Sequence, residues 1–312
     1  MAEIRNINYS NLAHKSIIIT GGASGLGLAT ATRFAEHGAY VTLADVQDDL
    51  GHKHAADLSS KGYKVTYVHC DTTSWSSSVA AFKHAVNFSP RKTLDAAALF
   101  AGIGGTGGNF ITNTADNDPP SLDHDPTEPS SRVVDVNLDG VIKSTQLALH
   151  YFRLPASTSS DPPHPSTKKK NLILCASLAG YIDYPASEYC ISKFGVRGLF
   201  RSLRAITTKN PDSNLTVNVV CPGYTPTAMT LGGPRTGHEF FKFIEENGMW
   251  SPVEYVVQYA CLCATDDAVN GRSFATFPEG LFDLEEDLDK GYAGEKLAEL
   301  LKSSRYVEFK FV

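Results

Sequence analysis

The chain has 312 residues, of which 42% are apolar, and a formal net charge of −6 at pH 7. This length and composition suit one large α/β core and are short for two, so we expect a single domain over residues 1–312. The acidic balance excludes a broad positive field for nucleic acid, and we interpret the one basic run, at residues 168–170, as the solvated end of a loop.

Membrane insertion and metal binding are not expected either. No stretch approaches the ~20 apolar residues of a membrane span, and the first fifteen residues lack the apolar run of a signal peptide, which favours a cytoplasmic protein. Cys261 and Cys263 lie two apart on an apolar helical stretch and therefore point in different directions, as core residues do. His52 and His54 have no third ligand nearby, so no metal site is predicted.

Apolar, β-branched runs alternate with helical patterns along most of the chain. Strand-like runs begin at residues 16, 40, 64, 94, 171, 215 and 271, and helical patterns cover 25–38, 48–61, 75–89, 131–153, 188–208 and 252–264. This alternation predicts an α/β fold with a doubly wound parallel sheet and helices on both faces, the three-layer α/β/α Rossmann arrangement.

Four segments interrupt the alternation. Residues 103–130, rich in Gly, Pro, Asp and Asn, follow the fourth strand, and we expect this insert to wall the substrate cleft. Residues 155–170 are of low complexity and should form a surface loop away from the chemistry. Residues 227–250 are predicted to form a substrate lid, and a charged extension from about residue 285 should dock on the body of the protein or on a partner.

The stretch TGGASGLG, at residues 20–27, runs from the first strand through a glycine turn into a helix. Gly21, Gly25 and Gly27 leave the backbone free to approach a pyrophosphate, which the unpaired N–H groups and the dipole of the helix attract. An ordinary strand-to-helix loop is the alternative, but the position after the first apolar strand favours a dinucleotide site.

Asp45 closes the second strand, where a carboxylate can accept hydrogen bonds from both ribose hydroxyls of a dinucleotide. It would repel a 2′-phosphate, and Val46 and Gln47 supply no cation to compensate, so NAD is predicted as the cofactor. The alternative is that Asp45 caps the helix that begins near Asp48. Asp71 ends the third strand and either binds the adenine amino group or caps the next helix.

Tyr189 and Lys193 lie four positions apart on a predicted helix and therefore share a face. A nearby ammonium favours the phenolate form of a tyrosine, which makes it a usable base at neutral pH. Ser177 ends the strand that starts at residue 171, at the carboxyl edge where α/β sheets bind ligands. These three groups are predicted to converge on one site.

Together the motifs resemble the short-chain dehydrogenase/reductase family over roughly residues 12–280. Besides the glycine turn and the two aspartates, the match rests on VNLDGV at 136–141, Ser177, YCISK at 189–193 and PGYTPT at 222–227. Within the family the sequence looks similar to the NAD-dependent branch that includes 15-hydroxyprostaglandin dehydrogenase.

The resemblance implies a role for each matching catalytic residue. Tyr189 would be the general acid/base, Ser177 would hydrogen-bond the substrate oxygen, and Lys193 would hold the nicotinamide ribose and favour the phenolate. Asn137 would hold a water that links the lysine to solvent. Because asparagine is a poor interior helix former, its place in a predicted helix supports a positional role, the alternative being an ordinary surface residue.

The resemblance also completes the predicted cofactor site and marks one departure. Beyond the three glycines, Asp45, Asp71, Tyr189 and Lys193, the predicted cofactor contacts are Ser24, Leu26, Ala101, Gly102, Gly223 and Thr227. The family's usual Asn-Asn-Ala-Gly after the fourth strand is here LFAG, at residues 99–102. Leu99 and Phe100 thus replace two asparagines that brace the sheet beside the cofactor, and other groups must supply that bracing.

The expected function is hydride transfer between NAD and a secondary alcohol or ketone. A fairly bulky, apolar substrate is indicated by large side chains in the predicted lid, which are equally compatible with core packing: Phe240, Phe241, Phe243, Met249 and Trp250. The alternatives are a non-catalytic NAD-binding protein and an epimerase or dehydratase on the same scaffold. The resemblance further implies a homodimer or homotetramer formed through the helices that carry Asn137 and Tyr189.

Overall fold

The computed structural model describes residues 7–105, 110, 122–123, 125, 128–155, 169–210, 212–231 and 238–286, without the side chains of 238–241. Within these residues eight strands form one sheet in the order β3-β2-β1-β4-β5-β6-β7-β8. The strands are β1 (Ser16–Thr20), β2 (Tyr40–Asp45), β3 (Val65–His69), β4 (Ala96–Leu99), β5 (Lys170–Cys175), β6 (Leu215–Pro222), β7 (Ser273–Phe277) and β8 (Gly280–Asp283).

The helices of the described residues cover both faces of this sheet. They are α1 (Gly25–Glu36), α2 (Asp48–Ser60), α3 (Trp75–Phe88), α4 (Arg132–Val134), α5 (Gly140–Tyr151), α6 (Ser187–Thr207), α7 (Ala228–Leu231), α8 (His238–Glu246) and α9 (Val253–Thr265). Helices α1, α2 and α9 contribute to the core on one face, and α3, α5 and α6 contribute to the core on the other. The predicted doubly wound α/β/α arrangement is therefore confirmed.

Strand β1 shows why the sheet is buried on both sides. Ile17 and Ile19 belong to one core cluster and Ile18 to the other, and all three side chains are inaccessible to solvent. Successive side chains of a strand point to opposite faces, so an unbroken apolar run requires a cover on each face. Cys261 and Cys263 of α9 are also fully buried, which confirms their assignment to the core.

The chain order of the strands creates a crevice at the carboxyl edge. From β1 the chain winds outward to β2 and β3, then crosses back to pair β4 on the other side of β1, with Thr20 opposite Leu99. The loops after β1 and β4 therefore leave the sheet in opposite directions. Such a switch point is where doubly wound sheets bind ligands.

Three features differ from the sequence-based expectations. Strand β8 pairs antiparallel with β7 and was not predicted. The expected helix over 131–153 contains a π-helical turn, Asp135–Asp139, between α4 and α5. Lys170 is not a solvated loop residue, since it begins β5 and its Nζ lies 2.9 Å from the carboxylate of Asp95.

Several predictions fall partly or wholly outside the described residues. Most of the insert at 103–130, the insert residues 156–168 and the extension beyond residue 286 lie there. The single-domain organisation therefore stays a prediction. No helix in the described part of the chain is long and apolar enough to cross a membrane.

Candidate active site

A cavity of about 950 Å³ opens at the carboxyl edge of the sheet, over the switch point between β1 and β4. Its size is that of a small-molecule or cofactor site. Of the fifteen site residues predicted from the sequence, fourteen line this cavity. The fifteenth, Asn137, lies behind the wall and bonds the wall residue Ile103. The wall residues among them are Gly21, Ser24, Gly25, Leu26, Gly27, Asp45, Asp71, Ala101, Gly102, Ser177, Tyr189, Lys193, Gly223 and Thr227.

The glycine turn lies against the start of the post-β4 loop. Gly21 has a φ of +69°, and a Cβ on it would come within 2.7 Å of the backbone nitrogen of Ala101. A Cβ on Gly27 would lie 2.1 Å from the carbonyl oxygen of Gly21. Ser24 precedes α1 without capping it through its side chain, so amide groups of the first turn of α1 are left for an anionic ligand.

Asp45 is oriented toward the glycine turn. Its Oδ2 accepts a hydrogen bond from the Ala23 amide at 3.0 Å, and its Oδ1 accepts from the Gln47 amide at 3.1 Å. The Gln47 side chain also donates to Oδ1 at 3.2 Å. The N-cap of α2 is Gln47, so Asp45 is not the helix cap that the sequence left as an alternative.

Asp71 also lines the cavity, but one of its oxygens is already engaged. Its Oδ1 accepts from the Thr73 hydroxyl at 2.7 Å and from the Thr73 amide at 2.9 Å. These hydrogen bonds, the hydroxyl one first, lower the pKa of the carboxyl group. The cap of α3 is Ser74, whose side chain accepts from the Ser77 amide, so Asp71 does not cap that helix.

The bracing that the two family asparagines would supply comes from Thr20 and Asn137. The Phe100 amide donates to the Thr20 carbonyl oxygen at 3.0 Å, and the Ala101 amide donates to the Thr20 hydroxyl at 3.3 Å. Asn137 is fully buried in the π-helical turn; its Oδ1 accepts from the Ile103 amide at 2.8 Å and its Nδ2 donates to the Ile103 carbonyl at 2.9 Å. The chain after β4 is thus held at both ends.

Tyr189 and Lys193 come together as the spacing predicted. Both lie in the first two turns of α6, and the Lys193 Nζ is 5.5 Å from the centroid of the Tyr189 ring. Lys193 is 5% exposed, and its Nζ donates to the Cys175 carbonyl oxygen at 3.2 Å. Ser177 faces the same cavity, with its Oγ accepting from the Ala179 amide at 3.2 Å.

Gly223 and Thr227 close the opposite side. The Gly223 amide donates to the Thr276 carbonyl oxygen at 3.2 Å. Gly25 has a φ of +52°, and a Cβ on it would lie 3.5 Å from the Cβ of Thr227, so the glycine leaves open the gap between the two loops. The space between these two loops, together with the unpaired amide groups at the start of α1, fits an elongated anionic cofactor such as a nicotinamide dinucleotide.

The substrate side differs in part from the prediction. Ile103 of the first insert and Thr227–Thr230 of the predicted lid line the cavity, whereas Phe243, Met249 and Trp250 do not. The Phe110 amide donates to the Ser187 hydroxyl at 3.1 Å, which brings the insert to the start of α6. The side chains of Phe240 and Phe241 lie outside the described residues.

The sequence analysis did not predict the part of the cavity wall formed by Thr73, Asp139 and Lys143. The Lys143 Nζ donates to the Thr73 carbonyl oxygen at 2.6 Å and lies 2.7 Å from the Asp139 carboxylate. Nothing local in the sequence marks Lys143 as a residue of the cavity wall, because Thr73, whose carbonyl oxygen it bonds, lies 70 positions away in the sequence. In the described part of the chain, no three His, Cys, Asp or Glu side chains are grouped to hold a metal ion.

A doubly wound sheet with a glycine turn at its switch point defines the class of Rossmann-type nucleotide-binding proteins. Comparison narrows the class: the family model for short chain dehydrogenase matches residues 15–233. The chain belongs to the short-chain dehydrogenase/reductase family. It is therefore an oxidoreductase of the alcohol dehydrogenase kind, which acts on a CH–OH group of a small molecule with a nicotinamide cofactor.

The chain is similar to several named relatives. It is 43% identical over 310 residues to 5′-hydroxyaverantin dehydrogenase of Dothistroma septosporum, covering 97% of both chains. It is 39% identical over 307 residues, 96% of both chains, to 5′-hydroxyaverantin dehydrogenase stcG of Emericella nidulans. NADP-dependent dehydrogenase clz5 of Cochliobolus lunatus is 36% identical over 204 residues, 64% of this chain and 68% of that one. The crystal structure of gox2181 superposes with a TM-score of 0.67 at 25% identity, covering 85% of this chain and 95% of that one.

Proposed function

We propose that the chain is an NAD(H)-dependent dehydrogenase that interconverts a secondary alcohol and a ketone on a fairly bulky, apolar small molecule, with Tyr189 as general acid/base. The observation that carries the proposal is one continuous cavity whose wall includes Ser177, Tyr189 and Lys193 as well as the glycine turn and Asp45. Groups for proton transfer and groups for holding a dinucleotide therefore share a single space.

Bound NAD would supply the hydride acceptor. In the proposed reaction Ser177 hydrogen-bonds the hydroxyl group of the alcohol, and Tyr189 takes its proton. The Lys193 Nζ lies 5.5 Å from the centroid of the Tyr189 ring, so both groups can act on one substrate. General acid–base help of this kind contributes about 10²–10⁴-fold, and holding the reacting atoms in contact supplies much of the rest.

Asn137 has a structural part in this proposal besides the water-holding role that the resemblance implies. Both polar atoms of its side chain bond to the Ile103 backbone. A Cβ on the preceding Gly102 would lie 3.3 Å from Asn137 Oδ1 and 3.8 Å from Lys193 Nζ. Asn137 thus holds the post-β4 loop in place beside Lys193, and its link to solvent through a water stays a prediction.

NAD is proposed over NADP because of the charge around Asp45. The carboxylate lies at the end of β2 and faces the glycine turn, and Val46 and Gln47, which follow it on the cavity wall, carry no positive charge. A 2′-phosphate there would meet the carboxylate, and neither of the two following residues would offset the repulsion.

For the substrate we propose 5′-hydroxyaverantin or an alcohol similar to it. Two full-length relatives are named for this compound. The cavity wall supports an apolar substrate, since Phe100, Ile103 and Met229 contribute to it, and Met229 also approaches Gly104 of the insert. With such a substrate, the enzyme would oxidise a hydroxyl group to a ketone.

We also propose that the protein is a homodimer or homotetramer formed through α5 and α6. Both helices expose large apolar side chains: Ile142 on α5, and Ile191 and Phe194 on α6, are each more than two-fifths exposed. Apolar surface of this kind favours an interface. Light scattering on the purified protein would distinguish a monomer from these assemblies.

The first experiment is a fluorescence titration with NADH and NADPH for the wild type, Asp45→Ala and the isosteric Asp45→Asn. We expect the wild type to bind NADH more tightly than NADPH. Both variants should lose NADH affinity, and Asp45→Asn should gain in relative affinity for NADPH because the repelling charge is gone. Equal binding of both nucleotides by the wild type would rule out the proposed cofactor choice.

Turnover is then measured with 5′-hydroxyaverantin and a panel of bulky secondary alcohols, with Tyr189→Phe as the inactive control. Oxidation by the wild type that is lost in Tyr189→Phe supports the proposed reaction. Binding of NADH without turnover of any alcohol or ketone would instead favour a non-catalytic NAD-binding protein.

A further inference from the structure

Four side chains follow one face of α6 at intervals of four residues: Tyr189, Lys193, Arg197 and Arg201. The first two line the cavity. The other two converge on one carboxylate, that of Glu286, three residues beyond the end of β8. The helix that carries the proposed acid/base group is thus joined to the last described segment of the chain.

The Glu286 side chain is fully buried and meets a guanidinium group at each oxygen. Arg197 Nε lies 2.8 Å from Oε1, and Arg201 donates to Oε2. Burying the Glu286 carboxylate between two partly exposed guanidinium groups is costly, so such a cluster contributes little net stability, but it can restrict its members to one conformation. Glu286 therefore fixes the orientation of Arg197.

Arg197 in turn contacts the turn that bears Ser177. Its guanidinium carbon lies 3.9 Å from the centroid of the Tyr181 ring, and its Nη1 donates to the Gly180 carbonyl oxygen at 3.4 Å. The Gly180 amide donates to the Ser177 carbonyl oxygen at 2.9 Å, and the Ala179 amide donates to the Ser177 hydroxyl at 3.2 Å. A shift of Arg197 would reach Ser177 through this single turn.

The same turn rests directly on α6. A Cβ on Gly180 would lie 2.8 Å from the carbonyl oxygen of Lys193, so the two backbones are already at contact distance. Arg197 lies one helical turn beyond Lys193 on α6 and bonds the Gly180 carbonyl oxygen, so it joins the turn to the helix.

We infer that Glu286 is a positioning residue for the proposed reaction: it holds Arg197 against the Ser177 turn and so sets Ser177 relative to Tyr189. The inference rests on the proposed function, because it acts through the two groups assigned to the substrate hydroxyl. Glu286 itself does not line the cavity. A misplacement of reacting groups by about 1 Å can lower a rate by ~10²-fold, so the effect should be large in kcat.

The test compares Glu286→Gln and Arg197→Lys with the control Asp95→Asn in the full chain. Asp95 directly precedes β4, at the sheet edge opposite the cavity, and its partly buried carboxylate also pairs with two cations, Arg91 and Lys170. Arg197→Lys keeps the charge opposite Glu286 but loses the planar fork that reaches both Glu286 and Gly180. It therefore also serves if Glu286→Gln does not fold.

For each protein kcat and KM for alcohol oxidation, the Kd for NADH and the Tm are measured. We expect Glu286→Gln and Arg197→Lys to lower kcat by roughly 10- to 100-fold while the Kd for NADH hardly changes, since the glycine turn and Asp45 are untouched. Asp95→Asn should lower the Tm and leave kcat close to the wild-type value.

Retained kcat with only a lower Tm in the two test variants would assign the cluster to stability and overturn the inference, as would an equal loss of kcat in Asp95→Asn. A wild type that binds NADH but oxidises no secondary alcohol would overturn the proposed function, and the inference with it.

Discussion

Replacing Asn137 by alanine should destabilise the fold and weaken cofactor binding together. The side chain is inaccessible to solvent and makes two short hydrogen bonds to the Ile103 backbone, at 2.8 and 2.9 Å, with a longer one of 3.4 Å to the Ser192 hydroxyl. Each net hydrogen bond contributes about 1 kcal/mol, and a buried group left without its partner costs roughly 1–3 kcal/mol. Because Ile103 is only half-buried and water can replace part of the loss, we expect a decrease of about 2–4 kcal/mol in the free energy of unfolding.

The effect on binding follows from the neighbour of Ile103. Gly102 lies on the cavity wall beside Lys193, so releasing Ile103 loosens the wall where the cofactor is proposed to bind. If re-ordering this loop costs about 1.4 kcal/mol of the free energy of binding, the Kd for NADH rises about tenfold. Guanidinium chloride unfolding measures the first effect, and the NADH fluorescence titration measures the second.

The matched control is Asn87→Ala, because Asn87 is an exposed asparagine on α3. Its free energy of unfolding should stay within about 0.5 kcal/mol of the wild type, as is usual at the surface. The reasoning is refuted if Asn137→Ala changes the free energy of unfolding no more than this control does and leaves the Kd for NADH unaltered.

Three further predictions follow from the same structure. Gly27→Ala should abolish NADH binding because its Cβ would lie 2.1 Å from the Gly21 carbonyl oxygen. At Gly198, a helical position on α6, an added Cβ would have no atom within 4 Å, so Gly198→Ala should raise the free energy of unfolding by about 0.5–1 kcal/mol and leave NADH binding intact. NADH binding that survives in Gly27→Ala and is lost in Gly198→Ala would contradict the close contact described for the glycine turn. Tyr189→Phe should lower kcat by about 10²–10⁴-fold with a much smaller effect on the Kd for NADH, because Tyr189 is only one of many predicted cofactor contacts; a near-normal kcat would remove Tyr189 from the reaction. Burial lowers the pKa of Lys15 to about 8, so its charge penalises the fold below pH 8 and the penalty fades up to the unfolded value of 10.5. The wild type should therefore gain stability relative to Lys15→Met by on the order of 1 kcal/mol per pH unit between pH 8 and 10, measured by unfolding at each pH, and a flat difference would show that Lys15 is not perturbed.

Much of the site could be predicted from the sequence because its signals are local. The glycine turn occupies eight consecutive residues between a strand and a helix, and Tyr189 and Lys193 are one helical turn apart. Asp45, Asp71 and Ser177 end or directly follow parallel strands, whose carboxyl ends must meet at one edge. These relations depend on short-range periodicity, so a single sequence contains them.

Two of the errors concern groups that lie far apart in the sequence. Lys170 pairs with Asp95, the residue directly before the neighbouring strand β4. Phe243, Met249 and Trp250, which were expected on the substrate cavity, do not line it. Neither local composition nor periodicity specifies which charged or apolar group lies across a sheet edge or in a cleft.

The sequence by itself determined the alternation of strands and helices, the glycine turn and the spacing of the tyrosine and lysine. It could do so because the backbone periods of 2 and 3.6 residues and the conformational freedom of glycine act within a few positions. Only the tertiary structure decided that Thr20 and Asn137 brace the chain where two asparagines are missing, and that Glu286 meets Arg197 across 89 positions of sequence. Contacts of that kind form when the sheet and its covering helices close on one another, and the closed core is what selects the partner of each buried polar group.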